Sequence, residues 1–330
     1  FDYIEKNKNK KIIAVCPLYI KNHSFGEYIF DHAWADAYHR YGLNYYPKLQ
    51  SAIPFTPVTG ERIIVSDLVK DKSSKIIEII GRIIEKAKII NVSSLHFNFI
   101  KNSSKIKELN SNLLLRKGIQ FHWKNDNYNT FEDFLKTLSS RKRKVIKKER
   151  LCLQNNNLTV KRLAGNDIKN EHWDFFYKCY LNTTERKWGS TYLTKDFFTK
   201  IGENFSNKIL LFIAFNDETM VASAINFLSS NHLYGRMWGS LYNIPYLHFE
   251  LCYYQAIEYA IQNKIKFVEA GAQGEHKLQR GYMPEITSSL HWIKDQQFSK
   301  AINKFLDEEL KLMTNQKKNL EEFTPFKNLD

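Results

Sequence analysis

Three strand-like runs follow one another closely in the second half of the chain: Lys208 to Phe215, Met220 to Phe227 and His232 to Trp238. The links between them carry Asn-Asp-Glu and Ser-Ser-Asn, which suit tight antiparallel connections. A helical pattern from Leu247 to Gln262 and a short strand from Phe267 to Ala270 come next. This order predicts an antiparallel meander that continues through a helix into a further strand.

The first half of the chain also alternates between strand-like and helical patterns. Isoleucines recur at helical spacing from Ile76 to Ile90, and Ser73 and Ser74 ahead of them are expected to cap that helix. The remaining predicted elements are strands at Lys11 to Ile20, Tyr45 to Ile53, Ser94 to Ile100 and Ile119 to Trp123, and a helix from Ser103 to Lys117. The fold class is therefore α/β or α+β.

The length of 330 residues favours two domains. A charged helical connector at residues 139–156 separates the two alternating halves. We predict a first unit at residues 1–138, and a second unit at residues 139–330 that includes this connector. The two halves also echo each other, since Phe121-His122-Trp123 and Leu290-His291-Trp292 both precede helical patterns, which suggests a duplicated fold.

The chain carries 49 Lys and Arg against 35 Asp and Glu, a formal net charge of +14. This excess favours an anionic partner such as nucleic acid, a nucleotide, an acyl-carrier phosphate or a membrane surface. Lys, Asn and Ile are abundant together throughout, as A/T-rich coding would also produce, so only local clusters count as evidence. Seven basic residues lie between Arg141 and Arg150, and Arg141, Arg143 and Lys144 form the candidate anion-binding face; a solvated helix is the alternative.

The four cysteines lie far apart with no CxxC pair, so neither a zinc knuckle nor a dense disulfide framework is indicated. No apolar run approaches the roughly 18 residues that a spanning helix needs, which leaves peripheral contact as the available membrane interaction. These features predict a cytoplasmic protein without a transmembrane segment.

Several motifs together resemble one family. They are HSFGEYIFD (23–31), PFTPVTG (54–60), QFHW (120–123), LYGRMWG (233–239), LHFE (247–250) and EAGAQGEHK (269–277), followed by RGY (280–282). On these motifs the chain resembles the FemAB-like branch of the GNAT acyltransferase superfamily, described as predicted N-acyltransferases or peptidoglycan biosynthesis/recognition proteins.

The resemblance implies tandem GNAT-like units, each a mixed and largely antiparallel sheet flanked by helices, with the first unit lacking its opening strand and helix. It implies an N-acyltransferase that moves an acyl or aminoacyl group onto an amine acceptor, linked to cell-wall precursor metabolism. The anionic acyl donor would be acyl-CoA or aminoacyl-tRNA, with no tightly bound cofactor and no metal. The alternative is an inactive GNAT-fold module that binds an anionic partner, either a cell-wall precursor or RNA.

One departure from the acetyl-CoA enzymes concerns the donor. Where such enzymes carry a Gly-rich pyrophosphate loop after the meander, this chain reads Gly239-Ser240-Leu241-Tyr242-Asn243-Ile244-Pro245. Coenzyme A binding is therefore in doubt, and an aminoacyl-tRNA donor gains weight.

The segment from Glu269 to Tyr282 is the densest in chemically active side chains. Transfer to an amine needs a base, donors for the developing oxyanion and positive charge for an anionic carrier. Glu275 or His276 are the candidate bases, and Lys277 or Arg280 the candidate cations. The resemblance places Lys277 and Tyr282 at the substrate, and Gln273 in the same loop is a further candidate; an ion-pair cluster that fixes the loop is the alternative.

Three further groups complete the candidate site residues. His248 is a candidate base or substrate clamp and Glu250 a substrate ligand, with a capping or core histidine as the alternative. Arg236 lies among aromatic residues, where a guanidinium binds carboxylate or phosphate or simply packs. In the first half, His23, Glu27 and Asp31 are candidates for positioning the acceptor, unless Asp31 only caps a helix.

Overall fold

The computed structural model describes residues 2–155, 157–188, 191–272 and 274–327. The strands are β1 (Asp2–Lys6), β2 (Ile12–Pro17), β3 (Tyr19–Lys21), β4 (Lys48–Ser51), β5 (Ile64–Val65), β6 (Ser94–Phe97), β7 (Leu114–Lys124), β8 (Leu158–Ala164), β9 (Ile209–Asn216), β10 (Thr219–Leu228), β11 (His232–Ser240), β12 (Phe267–Glu269) and β13 (Met283–Ile293). The α-helices are α1 (His32–Arg40), α2 (Lys72–Ile89), α3 (Ser103–Leu109), α4 (Phe131–Thr137), α5 (Ser140–Asn155), α6 (Asn170–Trp188), α7 (Lys195–Phe205), α8 (Leu247–Phe249), α9 (Gln255–Gln262) and α10 (Gln296–Glu322). A π-helical turn at Glu250–Tyr254 joins α8 to α9, and a 3₁₀ turn at Glu275–Arg280 follows β12. The predicted α/β class, with mixed sheets flanked by helices, is confirmed.

Two local predictions need correction. The helix predicted from Ser103 to Lys117 ends at Leu109, and the residues from Leu114 onward form β7. The side chain of Asn110 accepts a hydrogen bond from the Asn112 backbone N–H at 3.2 Å, a local turn that competes with helical hydrogen bonding. The cap of α2 is Asp71, whose carboxylate accepts the Ser74 backbone N–H at 3.0 Å, and not a serine.

Packing divides the described chain into two compact units. The first unit takes in the residues up to Gln120 together with Ile286–Asn319, and the second takes in Phe121–Glu285 and the residues from Leu320 onward. This division differs from the predicted single boundary at residue 138, because most of β13 and α10 pack with the first unit. Sequence patterns read along the chain do not reveal such a return.

The first unit is built around a parallel pair of strands. β4 and β6 run parallel and are joined by α2, while β3 and β13 pair antiparallel with β4 and β6 respectively. The predicted isoleucine stripe of α2 is buried against these strands. β1, β2 and β5 form a separate three-stranded sheet.

A lysine is fully buried in the first unit. Lys48 on β4 has no exposed surface, and its Nζ donates to Glu27 Oε2 at 2.8 Å, Asp31 Oδ2 at 2.5 Å and Ser24 Oγ at 2.7 Å. The Tyr45 hydroxyl also donates to Asp31 Oδ2, at 2.6 Å. Burial by itself raises the pKa of Asp31, but His96 and the Lys48 ammonium outweigh it and hold that pKa well below its usual range. The Lys48 ammonium is thus shared by two buried carboxylates, and Lys21 supplies a second positive charge at Glu27, at 3.3 Å.

Two histidines extend this cluster. His96 and His291 contact each other through their Nδ1 atoms at 2.7 Å, and His96 Nε2 lies 2.7 Å from Ser94 Oγ. Burial lowers the pKa of His96 to about 3 and that of His291 well below its usual value. Both rings are therefore neutral near pH 7.

The second unit contains the predicted meander. β8, β9, β10 and β11 pair antiparallel in sequence order, β12 pairs parallel with β11, and β7 pairs antiparallel with β12. Alternate residues of β9 enter two apolar clusters, one with α6 and α7 and the other with α5 and α9. Burial on both faces explains the continuous apolar run of β9.

The sequence echo marks equivalent positions in the two units. His291 pairs with His96 and Trp292 with Leu95, while His122 pairs with Glu269 and Trp123 with Val268. In each unit the histidine-tryptophan strand therefore lies antiparallel beside the second strand of a parallel pair. The register supports a duplicated fold.

Within the described ranges, none of the helices is long and apolar enough to cross a membrane.

We expect Lys48→Met to lower the free energy of unfolding by about 3–5 kcal/mol, because it removes the ammonium of Asp31 and leaves Glu27 with Lys21 alone. The matched control is Lys21→Met, which removes the more accessible contact of Lys21 with Glu27, at 3.3 Å, and should cost less than about 1 kcal/mol. Denaturant unfolding followed by tryptophan fluorescence measures both. Equal losses in the two variants would contradict a buried, charge-balanced cluster.

Candidate functional site

A cleft opens in the second unit where two parallel strands diverge. β11 and β12 pair only from His232–Phe267 to Tyr234–Glu269, although β11 continues to Ser240. Beyond Tyr234 the edge of β11 therefore has no partner in β12. Ligands of α/β sheets bind at such carboxyl ends of parallel strands, because backbone N–H and C=O groups there are not consumed by a ladder.

A β-bulge reshapes the same stretch of β11. Ile225 pairs with Met237 and Asn226 with Gly235, so Arg236 is the extra residue of the bulge. A bulge redirects the side chain and backbone groups of its extra residue. Arg236 consequently lines the cleft, and its predicted role in ligand binding stays a prediction.

The cleft has a volume of about 90 Å³. Its walls come from β10, β11, the helix after β11 and the residue after β12. The lining includes Asn226, Gly235, Arg236, Trp238, His248, Cys252, Tyr253 and Ala270.

The π-helical turn places residues of the helix wall. It interrupts the helical ladder between α8 and α9, and such turns often occur at functional sites. Cys252 and Tyr253 on this turn line the cleft, whereas Tyr254 is fully buried.

The structure brings together two of the predicted catalytic residues. His276 Nε2 lies 2.8 Å from the Tyr253 hydroxyl, and the His248 and His276 rings are 6.1 Å apart between centroids. Burial, with the nearby charges of Lys277 and Arg280, lowers the pKa of His276, so a neutral imidazole is favoured near pH 7. Burial also keeps the pKa of Tyr253 well above its usual value, so its hydroxyl stays protonated.

Lys277 lies behind this pair, only 2% exposed. Its Nζ donates to the Gly271 carbonyl oxygen at 2.8 Å. Burial lowers the pKa of Lys277 to about 8, which brings its titration close to physiological pH. Perturbed groups of this kind are typical of functional sites.

Arg280 fixes the turn that carries these residues. Its Nη2 donates to Glu149 Oε1 at 2.8 Å, its Nε donates to the Tyr254 hydroxyl at 3.0 Å, and its guanidinium lies 3.5 Å from the centre of the Phe249 ring. Arg280 is 6% exposed. Arg280 therefore belongs to an ion pair that fixes the loop, which was the alternative to a substrate-binding role, because its guanidinium contacts Glu149.

The same ion pair ties the turn to α5. Arg141, Arg143 and Lys144 lie on this helix, with Arg141 and Lys144 exposed. The predicted anion-binding residues therefore belong to the helix that Glu149 anchors beside the loop.

Three polar residues that lie where β11 and β12 are still paired were not among the predicted site residues. His122 on β7 and His232 on β11 each place Nε2 3.8 Å from a carboxylate oxygen of Glu269 on β12. Burial, together with His232 and Lys277, lowers the pKa of His122 to about 4. His122 lies in the QFHW motif and Glu269 in the EAGAQGEHK motif. The histidine-tryptophan pair that occurs at 122–123 and again at 291–292 was the sequence signal that could have identified them.

The predicted residues of the first unit do not form an open site. Glu27 and Asp31 are turned toward the buried Lys48, and Asp31 makes no side-chain cap hydrogen bond at α1. His23 is exposed at the surface, with its Nδ1 accepting the Phe25 backbone N–H at 3.2 Å. The two carboxylates are therefore ion-paired with a buried lysine, and acceptor positioning by them stays a prediction without an open site around it.

Glu250 also has an internal role. Its carboxylate accepts two hydrogen bonds from the Arg150 guanidinium, at 2.9 and 3.1 Å, and one from Gln255. Only 5% of Glu250 is exposed, so its charge is satisfied within the protein.

The remaining predicted residues lie as follows. Tyr282 is fully buried in the apolar cluster beside α9, and Glu275 is exposed at the start of the 3₁₀ turn. Gln273 lies outside the described residues. No group of three or more His, Cys, Asp or Glu suited to a metal ion occurs among the residues that the structure describes.

Comparisons with solved structures show the fold. L-PGS from Bacillus licheniformis superposes with a TM-score of 0.57 at 9% identity, covering 92% of this chain and 89% of that one. The C-terminal domain of a putative lysylphosphatidylglycerol synthetase from Agrobacterium fabrum gives 0.56 at 7% identity, with 91% and 87% covered. FemX gives 0.52 at 11% identity, with 92% and 90% covered.

No curated protein sequence matches the chain significantly. A family model does match, over residues 2–328, and its description is peptidoglycan biosynthesis/recognition. The match covers nearly the whole chain and agrees with the resemblance carried by the motifs. The chain belongs to the FemAB-like family of peptidoglycan biosynthesis and recognition.

Proposed function

We propose that the protein transfers an acyl or aminoacyl group to an amine, and that the reaction takes place in the cleft between β11 and β12. The divergence of the two strands carries this proposal, because the β11–β12 ladder ends there next to basic and neutral titratable side chains. Family membership supports an amine of a peptidoglycan precursor as the acceptor.

The transfer involves three chemical events that the protein has to support. The amine nitrogen attacks the donor carbonyl carbon, the amine loses a proton, and the carbonyl oxygen gains negative charge before the donor's leaving group departs. His276, neutral near pH 7 and hydrogen-bonded to Tyr253, is suited to take the proton, and His248 lies beside it. Backbone N–H groups of β11 beyond its ladder with β12 are suited to stabilise the oxyanion.

Charge complementarity assigns the other contacts. Glu269, flanked by His122 and His232, presents a carboxylate where an ammonium group would be held before it loses its proton. Arg236 and Lys277 supply positive charge toward an anionic donor. The exposed basic residues of α5 favour aminoacyl-tRNA over acyl-CoA as that donor, since they extend the positive surface beside the same loop.

The direct test measures transfer of radiolabel from aminoacyl-tRNA and, separately, from acyl-CoA to a peptidoglycan precursor that carries a free amine. We expect His276→Ala to lower kcat by about 100-fold or more, because a positioned base contributes that much. His39→Ala, an exposed histidine of α1, is the matched control and should transfer normally. Transfer at the normal rate by His276→Ala would exclude His276 as the base, and saturable binding of both donors without turnover would favour the inactive binding module.

The pH profile tests Lys277. If its charged form is required, the rate should fall as pH rises through about 8, the pKa of this buried amine. Lys277→Arg keeps the charge to much higher pH and should move the alkaline limb upward by more than one pH unit. Lys277→Met should reduce the rate at every pH, and an alkaline limb that stays near pH 8 in Lys277→Arg would assign it to another group.

A further inference from the structure

The first unit contains a cavity of about 210 Å³ that the proposed reaction does not use. It lies between the first turns of α2, the strand β5 and the segment that follows β6. Its wall is formed by isoleucine and valine side chains: Ile63, Val65, Ile76, Ile77, Ile100 and Ile106. By volume it has room for about seven water-sized groups.

The charged residues at this cavity are mostly basic. Lys72, Lys101 and Lys105 lie around it, against Glu61 as the one acid among its described lining residues. Lys72 forms an ion pair with Asp67 at 2.5 Å, whereas Lys101 and Lys105 form none with the carboxylates of the described chain. The rim therefore carries a net positive charge.

A buried guanidinium adds to this charge. Arg62 lines the cavity and is 2% exposed. Its Nε donates to the Asn98 carbonyl at 2.6 Å and its Nη2 to the Val58 carbonyl at 2.5 Å, so its described hydrogen-bond partners are backbone oxygens. Burial lowers the pKa of Arg62 to about 10, which still leaves it charged at neutral pH.

No carboxylate in the described part of the chain forms an ion pair with Arg62. A buried charge that lacks a counter-charge is costly, and an anion bound beside it would offset that cost. The carbonyl hydrogen bonds hold the guanidinium in place before any anion arrives.

The position of the cavity in the fold agrees with a binding role. It lies at the carboxyl end of β6, the second strand of the β4–β6 parallel pair, and beside the first turn of the helix that joins the pair. The cleft of the second unit likewise includes the residue after β12 and the start of the helix that joins β11 to β12. Sites in open α/β sheets recur there.

We propose that this cavity binds a small amphipathic anion, a phosphate or carboxylate head joined to a short aliphatic chain. The isoleucine wall takes the chain, and Arg62, Lys101 and Lys105 take the head. A free metabolite and the end of an anionic lipid share this chemistry.

Calorimetry with hexyl phosphate tests the proposal on the full chain. We expect saturable binding that is at least tenfold tighter than that of hexanol or of inorganic phosphate, since each of these lacks one half of the ligand. Lys101→Glu/Lys105→Glu should weaken the binding at least tenfold. Lys300→Glu/Lys304→Glu on α10 makes the same change in net charge away from the cavity and should leave the affinity unchanged.

A second variant addresses the cavity itself. Ser73→Trp keeps every charge but places an indole at the cavity wall, and it should also abolish hexyl phosphate binding. No saturable binding to the unmodified protein, or binding that both cavity variants leave unchanged, would overturn the proposal.

Co-sedimentation with vesicles distinguishes a free anion from an anionic lipid. Co-sedimentation with vesicles of anionic lipid that is lost in Lys101→Glu/Lys105→Glu identifies a lipid, and hexyl phosphate binding without co-sedimentation identifies a free anion. The proposal does not rest on the transfer reaction. Transfer measured on the same variants therefore keeps the two proposals separately testable.

Discussion

The position of the cleft is set by the point at which β11 and β12 stop pairing. Parallel strands that remain hydrogen-bonded use their backbone N–H and C=O groups in the ladder, and the helix that connects the two strands covers one face of the pair. Here the pairing ends at Tyr234 and Glu269, and the bulge at Arg236 turns the next residues of β11 away from the regular ladder. The cleft and the approach of His248, Tyr253 and His276 both follow from that divergence.

In the first unit the same strand arrangement buries its polar residues. His96 occupies the position in β6 that Glu269 occupies in β12, and His291 corresponds to His122. In the first unit these residues join Lys48 and Asp31 in a cluster with almost no exposed surface. In the second unit the His122 and His232 side chains are 16% and 32% exposed. One register thus supports a charge-balanced core in the first unit and a solvent-accessible polar site in the second.

Local patterns predicted much of the fold. The meander and α2 followed from strand runs, short turns and isoleucine spacing, because these signals act over a few residues. The return of α10 to the first unit was not predictable, since it depends on contacts between distant parts of the chain. The end of α3 was missed because the turn around Asn110 depends on one side-chain hydrogen bond.

Local motifs also predicted some of the candidate site residues, but not the ion-pair partners of the carboxylates. His276, Lys277, His248 and Arg236 were predicted from dense polar motifs, and the structure places them at or beside one cleft. The predicted carboxylates illustrate the limit of sequence reasoning, because a carboxylate motif does not reveal its counter-charge. Glu27 and Asp31 both pair with Lys48, which is distant in sequence, and Glu250 pairs with Arg150 in the same way.

Alkylation of Cys252 tests whether transfer takes place in the cleft, because this thiol lines it while Cys16 and Cys179 are buried. The experiment uses a Cys152→Ser background, and Cys252→Ser in that background confirms that the thiol itself is not required. Iodoacetamide treatment should abolish acyl or aminoacyl transfer in step with labelling of Cys252, and bound donor should slow the labelling. Complete labelling of Cys252 with undiminished transfer would place the reaction outside this cleft.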